Sequence, residues 1–241
     1  KMKTRLLVFI IILLLLTDLA LLYPKLTGKA TEKIQYRYVN VSRVIDGDTF
    51  ETKTEYGTEK FRLLGMNTPE KKQAYYEQAK QFLKQFENKT FKLEDYGKDK
   101  YQRTLAYVYY NNQLINKKIL ENGLGNLYYY QEDSHYNELK KAEEQARNKG
   151  LGIWKKSENY GCVELVELKY QEQERCKNQE QLILNNKCNK IQAILKDDAT
   201  HIYNLELPNG LFEQNFSCIW NNEGDSLYLS DDSGLLVFYR Y

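Results

Sequence analysis

One short stretch sets the interpretation of this 241-residue chain: Arg62-Leu63-Leu64-Gly65-Met66-Asn67-Thr68-Pro69-Glu70. It begins in a predicted β-strand and offers a guanidinium, an amide and a carboxylate in quick succession. Two more segments flank it, Asp46-Gly47-Asp48-Thr49 upstream and Asp99-Lys100-Tyr101-Gln102-Arg103 downstream. Because all three adjoin predicted strands, we expect their polar side chains to meet at one end of a sheet.

The first prediction is a metal site built from oxygen atoms. Asp48, Asn67 and the carbonyl group of Thr68 offer a carboxylate, an amide and a backbone oxygen. Ca²⁺ binds about 6 to 8 such oxygens at roughly 2.3 to 2.6 Å. Glu70 then remains as the candidate general base, because it could take a proton from a water molecule or orient that water for attack.

The second prediction is a pair of phosphate clamps. Arg62 and Arg103 can each bind phosphate oxygens through a planar fork that lysine lacks, and so stabilise the charge of a pentacoordinate transition state. Histidine is the usual alternative as a general base, but the chain has only His135 and His201, each alone in its neighbourhood. The sequence therefore disfavours a histidine-based phosphodiesterase.

The three segments, in this order, resemble the staphylococcal nuclease (thermonuclease) family. The similarity runs from about residue 36 to 154 and includes Leu105-Ala106-Tyr107 and Gly150-Leu151-Gly152-Ile153-Trp154. It implies Ca²⁺-dependent endonucleolytic hydrolysis of DNA and RNA that leaves 3′-phosphates. Carried over position by position, the resemblance implies metal ligands at Asp48, Asn67 and Thr68, catalytic roles for Arg62, Glu70 and Arg103, and substrate contacts at Lys100, Tyr101, Tyr128 and Tyr130.

Two departures from the family pattern concern this site. Asn67 stands where the family usually has a second metal-binding aspartate, and an uncharged amide should bind Ca²⁺ more weakly. After Glu70 only Lys71 and Lys72 precede a helical pattern, whereas the family often has a longer loop there that guides the substrate. Metal affinity and substrate preference are therefore the properties that we expect to differ.

Each feature also has a purely structural explanation. Asp46-Gly47-Asp48 is ordinary hairpin-turn chemistry, since Asp and Gly accept the backbone angles of a tight turn. Arg62 and Glu70 could form a surface ion pair worth about 0 to 1 kcal/mol. Some tyrosines at 128–130 could face the core while another stacks on a base. The combination of the three segments favours a nuclease over these separate explanations.

The strand and helix order predicts an α+β domain, an OB-like five-stranded β-barrel with three helices. Alternating and β-branched residues predict strands at 36–45, 48–54, 58–65, 89–95 and 103–110. Apolar residues at helical spacing predict one helix around Ala79 and Leu83 and another around Ile115 and Ile119. A third helix is predicted from its N-cap, Ser134, to its C′ residue, Gly150.

Residues 1–23 predict a hydrophobic helix that is a signal peptide or a membrane anchor. Lys1, Lys3 and Arg5 precede an apolar run at 6–16, and a second apolar stretch ends at Tyr23. The basic flank should stay in the cytoplasm, which makes the rest of the chain extracytoplasmic. Cleavage would release a secreted protein; without cleavage, residues 6–23 just suffice for a span. Residues 24–34 then form a linker.

The composition changes after Trp154, and all four cysteines lie beyond that point. In an exported chain Cys162, Cys176, Cys188 and Cys218 predict two disulfide bonds. Three connectivities are possible, and pairing neighbours along the chain favours Cys162 with Cys176 and Cys188 with Cys218. A zinc site is the alternative, although no close Cys-x-x-Cys pair supports it.

The chain is predicted to have two domains, a nuclease-like domain at 35–156 and an all-β, immunoglobulin-like sandwich at 162–241. Strands of the second are predicted at 163–169, 180–186, 191–195, 201–207, 216–220, 226–230 and 235–240. Gln181-Leu182-Ile183-Leu184-Asn185-Asn186 and Trp220-Asn221-Asn222-Glu223-Gly224-Asp225-Ser226-Leu227 resemble the lamin tail domain. That resemblance implies an accessory domain that binds an unknown ligand or positions the nuclease.

Composition limits the binding partners. The net charge of +2 is close to neutral, so affinity for a DNA or RNA substrate must come from local lysine patches. We also expect a membrane contact through the N-terminal segment and a monomer. Asp197-Asp198 and Asp231-Asp232 are expected in solvated turns, with a cation site as the alternative.

A different class of function is a catalytically inactive OB-fold module, anchored to the membrane, that binds nucleic acid or a surface partner. Asn67 is the one residue that supports it. Pure binding needs cations but no carboxylates facing phosphate, so the pair Asp48 and Glu70 argues for an enzyme.

Overall fold

The computed structural model describes residues 35–129, 133–170, 180–199, 201–221 and 224–241. The predicted N-terminal helix and the linker at 24–34 lie outside the described residues. Within the described ranges, no helix is both long enough and apolar enough to span a membrane. Residues Tyr36–Tyr241 form one compact unit, which contains both predicted domains.

A mixed β-sheet forms the nuclease-like part of this unit. In chain order its strands and their short partners are β1 (Gln35–Asn40), β2 (Arg43–Val44), β3 (Thr49–Thr54), β4 (Gly57–Leu63), β5 (Met66–Asn67), β6 (Thr90–Lys98), β7 (Thr104–Tyr110), β8 (Gln113–Leu114) and β9 (Asn126–Leu127). The main sheet has the order β1-β6-β7-β4-β3-β2, with β8 beside β7, while β5 pairs with β9. The strands β4 and β7 run parallel, whereas β3 with β4 and β6 with β7 are antiparallel.

The sheet closes into a barrel because the first predicted strand, 36–45, is broken into two. Its halves, β1 and β2, lie at opposite edges of the sheet although only residues 41–42 separate them in the chain. At the break, the backbone of Val41 bonds Lys89 and Asn88 in the segment before β6. Aromatic rings lie in the core of this part, with Phe50 stacked on Phe61 at a centroid distance of 4.9 Å.

Three α-helices among the described residues accompany this sheet, as predicted. They are α1 (Tyr76–Lys84), α2 (Ile115–Glu121) and α3 (Tyr136–Asn148), and a short 3₁₀-helix follows at Gly152–Trp154. The helix α1 buries Ala79 and Leu83. After α3, Gly150 adopts φ 63°, the left-handed conformation expected of a C′ glycine. Ser134 is not the N-cap: His135 has that position, and its N–H donates to Asp133 Oδ1 at 2.9 Å.

The C-terminal part consists of two antiparallel sheets, which agrees with the all-β prediction. Its described strands are β10 (Val163–Lys169), β11 (Glu180–Asn186), β12 (Ile191–Lys196), β13 (Ile202–Leu207), β14 (Gly210–Phe216), β15 (Ser226–Asp231) and β16 (Gly234–Arg240). One sheet has the order β10-β11-β14 and the other β13-β12-β15-β16. Both sheets contribute buried leucines to one core cluster, including Leu182, Leu184, Leu195 and Leu229, so they pack as a sandwich.

The strand predicted at 216–220 is wrong. The chain forms β14 at Gly210–Phe216 and leaves the sheet where the predicted strand begins. The physical reason lies in Glu180, a buried carboxylate that accepts the N–H groups of Ile219 at 2.8 Å and Trp220 at 3.2 Å. Those donors are therefore used by a side chain and not by a neighbouring strand.

The predicted disulfide pairing is also wrong, because Cys162 is bonded to Cys188, with a Cα–Cα distance of 5.4 Å. The strands β10 and β11 pair with Val163 opposite Asn186, which places the two cysteines at the same end of this strand pair. Cys218 is disulfide-bonded as well, and Cys176 lies outside the described residues.

The two parts meet along an apolar contact. Trp154, almost completely buried, lies with its ring centroid 5.7 Å from that of Tyr228 and 5.1 Å from that of Phe238. The backbone continues the contact, since the N–H of Leu235 donates to the carbonyl of Lys155 at 2.8 Å. This contact removes aromatic surface of both parts from water, which favours their association.

A buried ion pair also joins the two parts. Glu143 on α3 is 0% exposed, and Arg240 of the sandwich bonds both of its carboxylate oxygens, one of them at 3.0 Å. Glu143 Oε1 also accepts the N–H of Leu127 in β9 at 2.8 Å. The same carboxylate therefore links the sandwich to the short sheet that carries Asn67.

Candidate active site

Asp48 lies at the centre of the predicted site and is 7% exposed. Its Oδ2 accepts two hydrogen bonds from Thr68, one from the backbone N–H and one from the hydroxyl, both at 2.8 Å. Its Oδ1 accepts the Thr49 hydroxyl at 3.1 Å and lies 3.2 Å from Nε of Arg62. The carboxylate thus joins three segments of the chain.

Gly47 explains how the chain brings Asp48 so close to Thr68. A Cβ atom at Gly47 would lie 2.7 Å from both Ala79 Cβ and Thr68 Oγ1, closer than these atoms can approach. The backbone of Gly47 does not have a positive φ angle. Glycine is therefore needed here for close contact, whereas the sequence suggested a role in turn geometry.

Arg62 and Asn67 complete the group. The Arg62 guanidinium donates from Nη2 to the amide oxygen of Asn67 and from Nη1 to the carbonyl of Leu63 at 2.6 Å. Arg62 therefore bridges Asp48 and Asn67, and its ion pair is with Asp48 and not with Glu70, the partner in the structural explanation. In β5, Asn67 is held opposite Asn126 of β9.

Asp46 places a second carboxyl group next to Asp48. Its Oδ1 accepts the Asp48 N–H at 3.1 Å. Burial, together with the nearby Asp48 carboxylate, raises the pKa of Asp46 to about 6. The sequence motif marked Asp46 only as a turn residue, because burial is not visible in a short stretch of sequence.

Glu70 is exposed at the end of the same stretch. Its backbone N–H donates to Gln73 Oε1, and its carbonyl accepts the Gln73 N–H, both at 2.8 Å. Within the described ranges, the Glu70 carboxylate has neither a hydrogen bond nor an ion pair. That position leaves the group accessible to water, as a general base requires.

The third predicted segment forms a turn between β6 and β7. Asp99 Oδ1 accepts the N–H groups of Tyr101 and Arg103, both at 2.9 Å, and its Oδ2 bonds Arg103 Nε at 2.7 Å. Tyr101 is 68% exposed, and the Nζ of Lys100 lies 5.1 Å from its ring centroid. These residues form an exposed aromatic and basic surface next to the sheet.

Arg103 does not bond the Asp48 group among the described residues. It directly precedes β7, whose Leu105 lies opposite Arg62 in the parallel strand pair. The two arginines therefore belong to neighbouring strands, but their side chains bond different carboxylates. A role of Arg103 as second phosphate clamp stays a prediction.

The two predicted tyrosine contacts also stay predictions. Tyr128 follows β9, is half-buried, and donates its N–H to the carbonyl of Gly65 at 3.1 Å. Tyr130 lies outside the described residues. Between them, the Tyr129 hydroxyl bonds the hydroxyl of the buried Tyr107 at 2.8 Å, which agrees with the core alternative for one tyrosine of the run.

A segment of the sandwich reaches this site, which nothing in the sequence indicated. The backbone carbonyl of Asp198 accepts hydrogen bonds from Nδ2 of Asn67 at 2.7 Å and from Nδ2 of Asn126 at 3.1 Å. Lys196, two residues earlier, places its Nζ 3.3 Å from the amide oxygen of Asn126. Because Asn67 donates through its amide, an aspartate in its place could not make the bond to Asp198.

Carboxylates order this segment from inside the sandwich. The Oδ1 of Asp197, a residue 1% exposed, accepts the N–H of His201 at 2.9 Å, and its Oδ2 lies 2.7 Å from His201 Nδ1. Asp225 accepts the Ser226 N–H at 2.6 Å. Burial and the nearby Asp225 raise the pKa of Asp198 to about 8. The expectation that Asp197-Asp198 forms a solvated turn is therefore wrong, since Asp197 is buried.

The donor set around Asp48 fits a hard cation in its chemistry, since Asp48, Asn67 and Thr68 offer oxygen atoms. Binding must displace some existing donors, because Arg62, Thr49 and Thr68 already use the roughly four lone-pair positions of the Asp48 carboxylate. Among the described residues, the group of three carboxylates able to share an ion is Asp197, Asp198 and Asp225, whose oxygens lie within 4.8 Å of one another.

Known proteins resemble this chain in the region that carries the site. The family model described as Staphylococcal nuclease homologue matches residues 60–156. An "Uncharacterized endonuclease" of Haemophilus influenzae is 38% identical over 143 residues, which cover 58% of this chain and 78% of the relative. A "Thermonuclease" of Staphylococcus intermedius is 31% identical over 161 residues, which cover 61% of this chain and 96% of the relative.

A third relative, "Endonuclease YncB" of Bacillus subtilis, is 35% identical over 144 residues, which cover 54% of this chain and 68% of the relative. The region matched by the family model contains Arg62, Asn67 and Glu70, together with the turn at Arg103. The chain belongs to the staphylococcal nuclease homologue family.

Proposed function

We propose that this phosphodiester-hydrolysing nuclease is a Ca²⁺-dependent endonuclease that acts on DNA and RNA outside the cytoplasm and leaves 3′-phosphates. The observation that carries the proposal is the assembly of Asp48, Arg62, Asn67 and Thr68 in one group, with Glu70 exposed at the end of the same stretch. The names of the relatives, two endonucleases and a thermonuclease, support nucleic acid as the substrate.

Each residue has a distinct task in this proposal. Asp48, Asn67 and the Thr68 carbonyl would hold the cation, which would supply positive charge to the phosphoryl oxygens. Arg62 turns from Asp48 and Asn67 towards a phosphate oxygen, where its fork stabilises the developing charge. Glu70 takes a proton from the water that attacks phosphorus, and the bond from phosphorus to the 5′-oxygen breaks, which leaves a 3′-phosphate and a 5′-hydroxyl that takes its proton from solvent.

The substrate surface follows from the turn before β7. Tyr101 offers an exposed ring for stacking on a base, and Lys100 and Arg103 offer positive charge beside it. The proposal includes Tyr128 and Tyr130 as further contacts. We also propose that the protein is a monomer and that its N-terminal segment is a signal peptide or membrane anchor. The sandwich is proposed as an accessory domain similar to the lamin tail.

The decisive experiment measures cleavage of single-stranded DNA by the purified chain over a range of Ca²⁺ concentrations. We expect cleavage that stops when chelator is added, with new ends that carry 3′-phosphates. Glu70→Gln should cut roughly 10²- to 10⁴-fold more slowly and bind DNA comparably. The matched control is Glu77→Gln, an exposed carboxylate in the first turn of α1, which should keep full activity.

The same experiment tests a binding module that has lost turnover. That alternative is favoured by Asn67, whose amide brings no charge to the cation. DNA binding without cleavage at any Ca²⁺ concentration would establish the alternative. Equal rates for Glu70→Gln and the unchanged chain would remove Glu70 from the role of base.

A further inference from the structure

We propose that Lys196, a residue of the β-sandwich, binds a substrate phosphate in the nuclease site, so that the second domain supplies part of the active centre. The inference rests on the proposed function and extends it to a residue outside the region that the family model matches. It is carried by the position of Lys196 at the end of β12, where the side chain reaches Asn126 of the nuclease-like part.

The segment that carries Lys196 is fixed by one hydrogen bond of Lys196 and two of the Asp198 carbonyl to the nuclease-like part. Its Nζ lies 3.3 Å from Asn126 Oδ1, and the same Asn126 amide donates to the carbonyl of Asp198. Asn67 donates to that carbonyl as well, while its own oxygen accepts from Arg62. A continuous series of contacts therefore leads from the proposed phosphate clamp to the lysine.

The ammonium group of Lys196 has unused hydrogen-bonding capacity. A lysine has three donors, and within the described ranges the hydrogen bond of Lys196 is the one to Asn126. The ring of Tyr228 lies 6.0 Å from Nζ and offers only a weak electrostatic attraction at that distance. The side chain is half-buried, so water compensates its remaining donors only in part. Phosphate oxygens are strong acceptors that would complete the set.

Carboxylates of both parts of the molecule act on the charge of Lys196. Burial lowers the pKa of Lys196, while the carboxylates of Asp197, Glu70, Asp198 and Asp48 act to raise it. The geometry places the ammonium on the side of the site that carries Asn67, because its partner Asn126 lies opposite Asn67 in the β5–β9 pair. Asn67 accepts from Arg62, the proposed phosphate clamp, so the ammonium lies on the side of the site where the proposed function places the scissile phosphate.

A lysine at this position could instead take the place of the cation and inhibit the enzyme. Such a stand-in would form a direct ion pair with Asp48 or Glu70. Among the described residues no ion pair of Lys196 within 4.0 Å is found, and its hydrogen-bond partner is the neutral amide of Asn126. The lysine is therefore held beside the oxygen ligands and not in their midst, which favours phosphate binding.

The test measures the affinity of the full chain for a single-stranded DNA oligonucleotide in chelator, by fluorescence anisotropy at several salt concentrations. Lys196→Met should weaken binding about tenfold, the effect of losing one charge-assisted hydrogen bond. The slope of log affinity against log salt should become smaller by about 0.7, the value for one phosphate contact on a single strand. Lys196→Arg should keep most of the affinity and the slope.

The matched control is Lys190→Met, which removes the same charge from an exposed ion pair with Glu206 before β12. It should leave affinity and salt slope unchanged. Thermal unfolding of each variant shows whether the fold is kept; if Lys196→Met does not fold, Lys196→Gln replaces it. With Ca²⁺ present, Lys196→Met should raise KM more than it lowers kcat.

Two results would overturn the inference. One is an unchanged affinity and salt slope in Lys196→Met; the other is faster cleavage by that variant, as expected of a lysine that competes with the cation. The proposed function fails separately, through absence of cleavage by the unchanged chain. In that case, a Lys196→Met variant that binds DNA more weakly and with a smaller salt slope would still support the phosphate contact.

Discussion

The contact between the nuclease-like part and the sandwich can be compared with the candidate active site, because both contain charged groups that are partnered differently. At the contact between the two parts, the fully buried Glu143 is bonded by both terminal nitrogens of Arg240 and by a backbone N–H. At the active site the buried Asp48 is paired with Arg62, whereas the exposed Glu70 and the half-buried Lys196 have no ion pair among the described residues. The difference teaches that a paired buried charge joins the two parts of the molecule, and that Glu70 and Lys196 are charges left available to a ligand.

The largest expected effect tests the paired side of this comparison. Arg240→Met would leave Glu143 buried without its cation, which should lower the free energy of unfolding by about 3 to 5 kcal/mol. Urea denaturation measures the change. Lys187→Met, which breaks an exposed ion pair with Glu164 in the sandwich, is the control and should leave the free energy of unfolding almost unchanged. Equal losses in the two variants would show that burial of the pair is unimportant.

The next effect concerns the active site. Arg62→Lys cannot bridge Asp48 and Asn67 or grip a phosphate with a planar fork, so kcat for single-stranded DNA should fall about 10²- to 10³-fold. Steady-state cleavage assays with Ca²⁺ measure the change. The control is Arg43→Lys, an exposed arginine that pairs with the buried Glu51, and this variant should retain its activity. An Arg62→Lys variant of normal kcat would contradict the clamp.

The smallest effect sharpens the comparison at a partly exposed carboxylate. Asp231 accepts hydrogen bonds from Ser157 at 2.6 Å and from Asn159 at 2.9 Å, which link the chain after the barrel to β15. Although burial acts to raise its pKa, these bonds and those from Ser233 lower the pKa from the ordinary 3.8 to about 2.

Because the folded pKa is the lower one, the Asp231 carboxylate stabilises the fold above pH 3.8, and this contribution is lost as the pH falls towards about 2. Asp231→Asn should therefore be less stable than the unchanged chain at neutral pH, with a difference that shrinks across this window. Thermal unfolding as a function of pH measures it. The exposed Asp232→Asn is the control; a pH-independent difference at Asp231 would refute the assignment.

Much of the barrel was predictable because its pattern is local. The strands after the first and the three helices follow from alternation, helical spacing and turn residues, and these lie within a few residues of the structure. The break at 41–42 was not predictable, because Val41 and Ser42 are ordinary strand residues. The break arises from backbone hydrogen bonds of Val41 to Lys89 and Asn88. Closure of a sheet is a long-range event that no short window contains.

The site was predictable where a motif carries it and not where the sandwich completes it. Asp48, Arg62, Asn67 and Thr68 do come together. Asp198 bonds Asn67 across 131 positions of sequence, and no spacing rule links them. The predicted partner of Cys162 was wrong for a similar reason, because its bond to Cys188 depends on the register of β10 and β11 and not on order along the chain.

The contact at Asp198 is made by its main-chain oxygen, and every amino acid has that atom. Mutation at this position can thus alter the side chain and still preserve the bond, provided that the loop keeps its shape. Homologous chains with both parts could then retain these hydrogen bonds without having the same amino acid at this position. A search for this contact should compare the conformation of the loop at Asp198. The two asparagines that donate to it, Asn67 and Asn126, are the part of the contact that a sequence comparison can recognise.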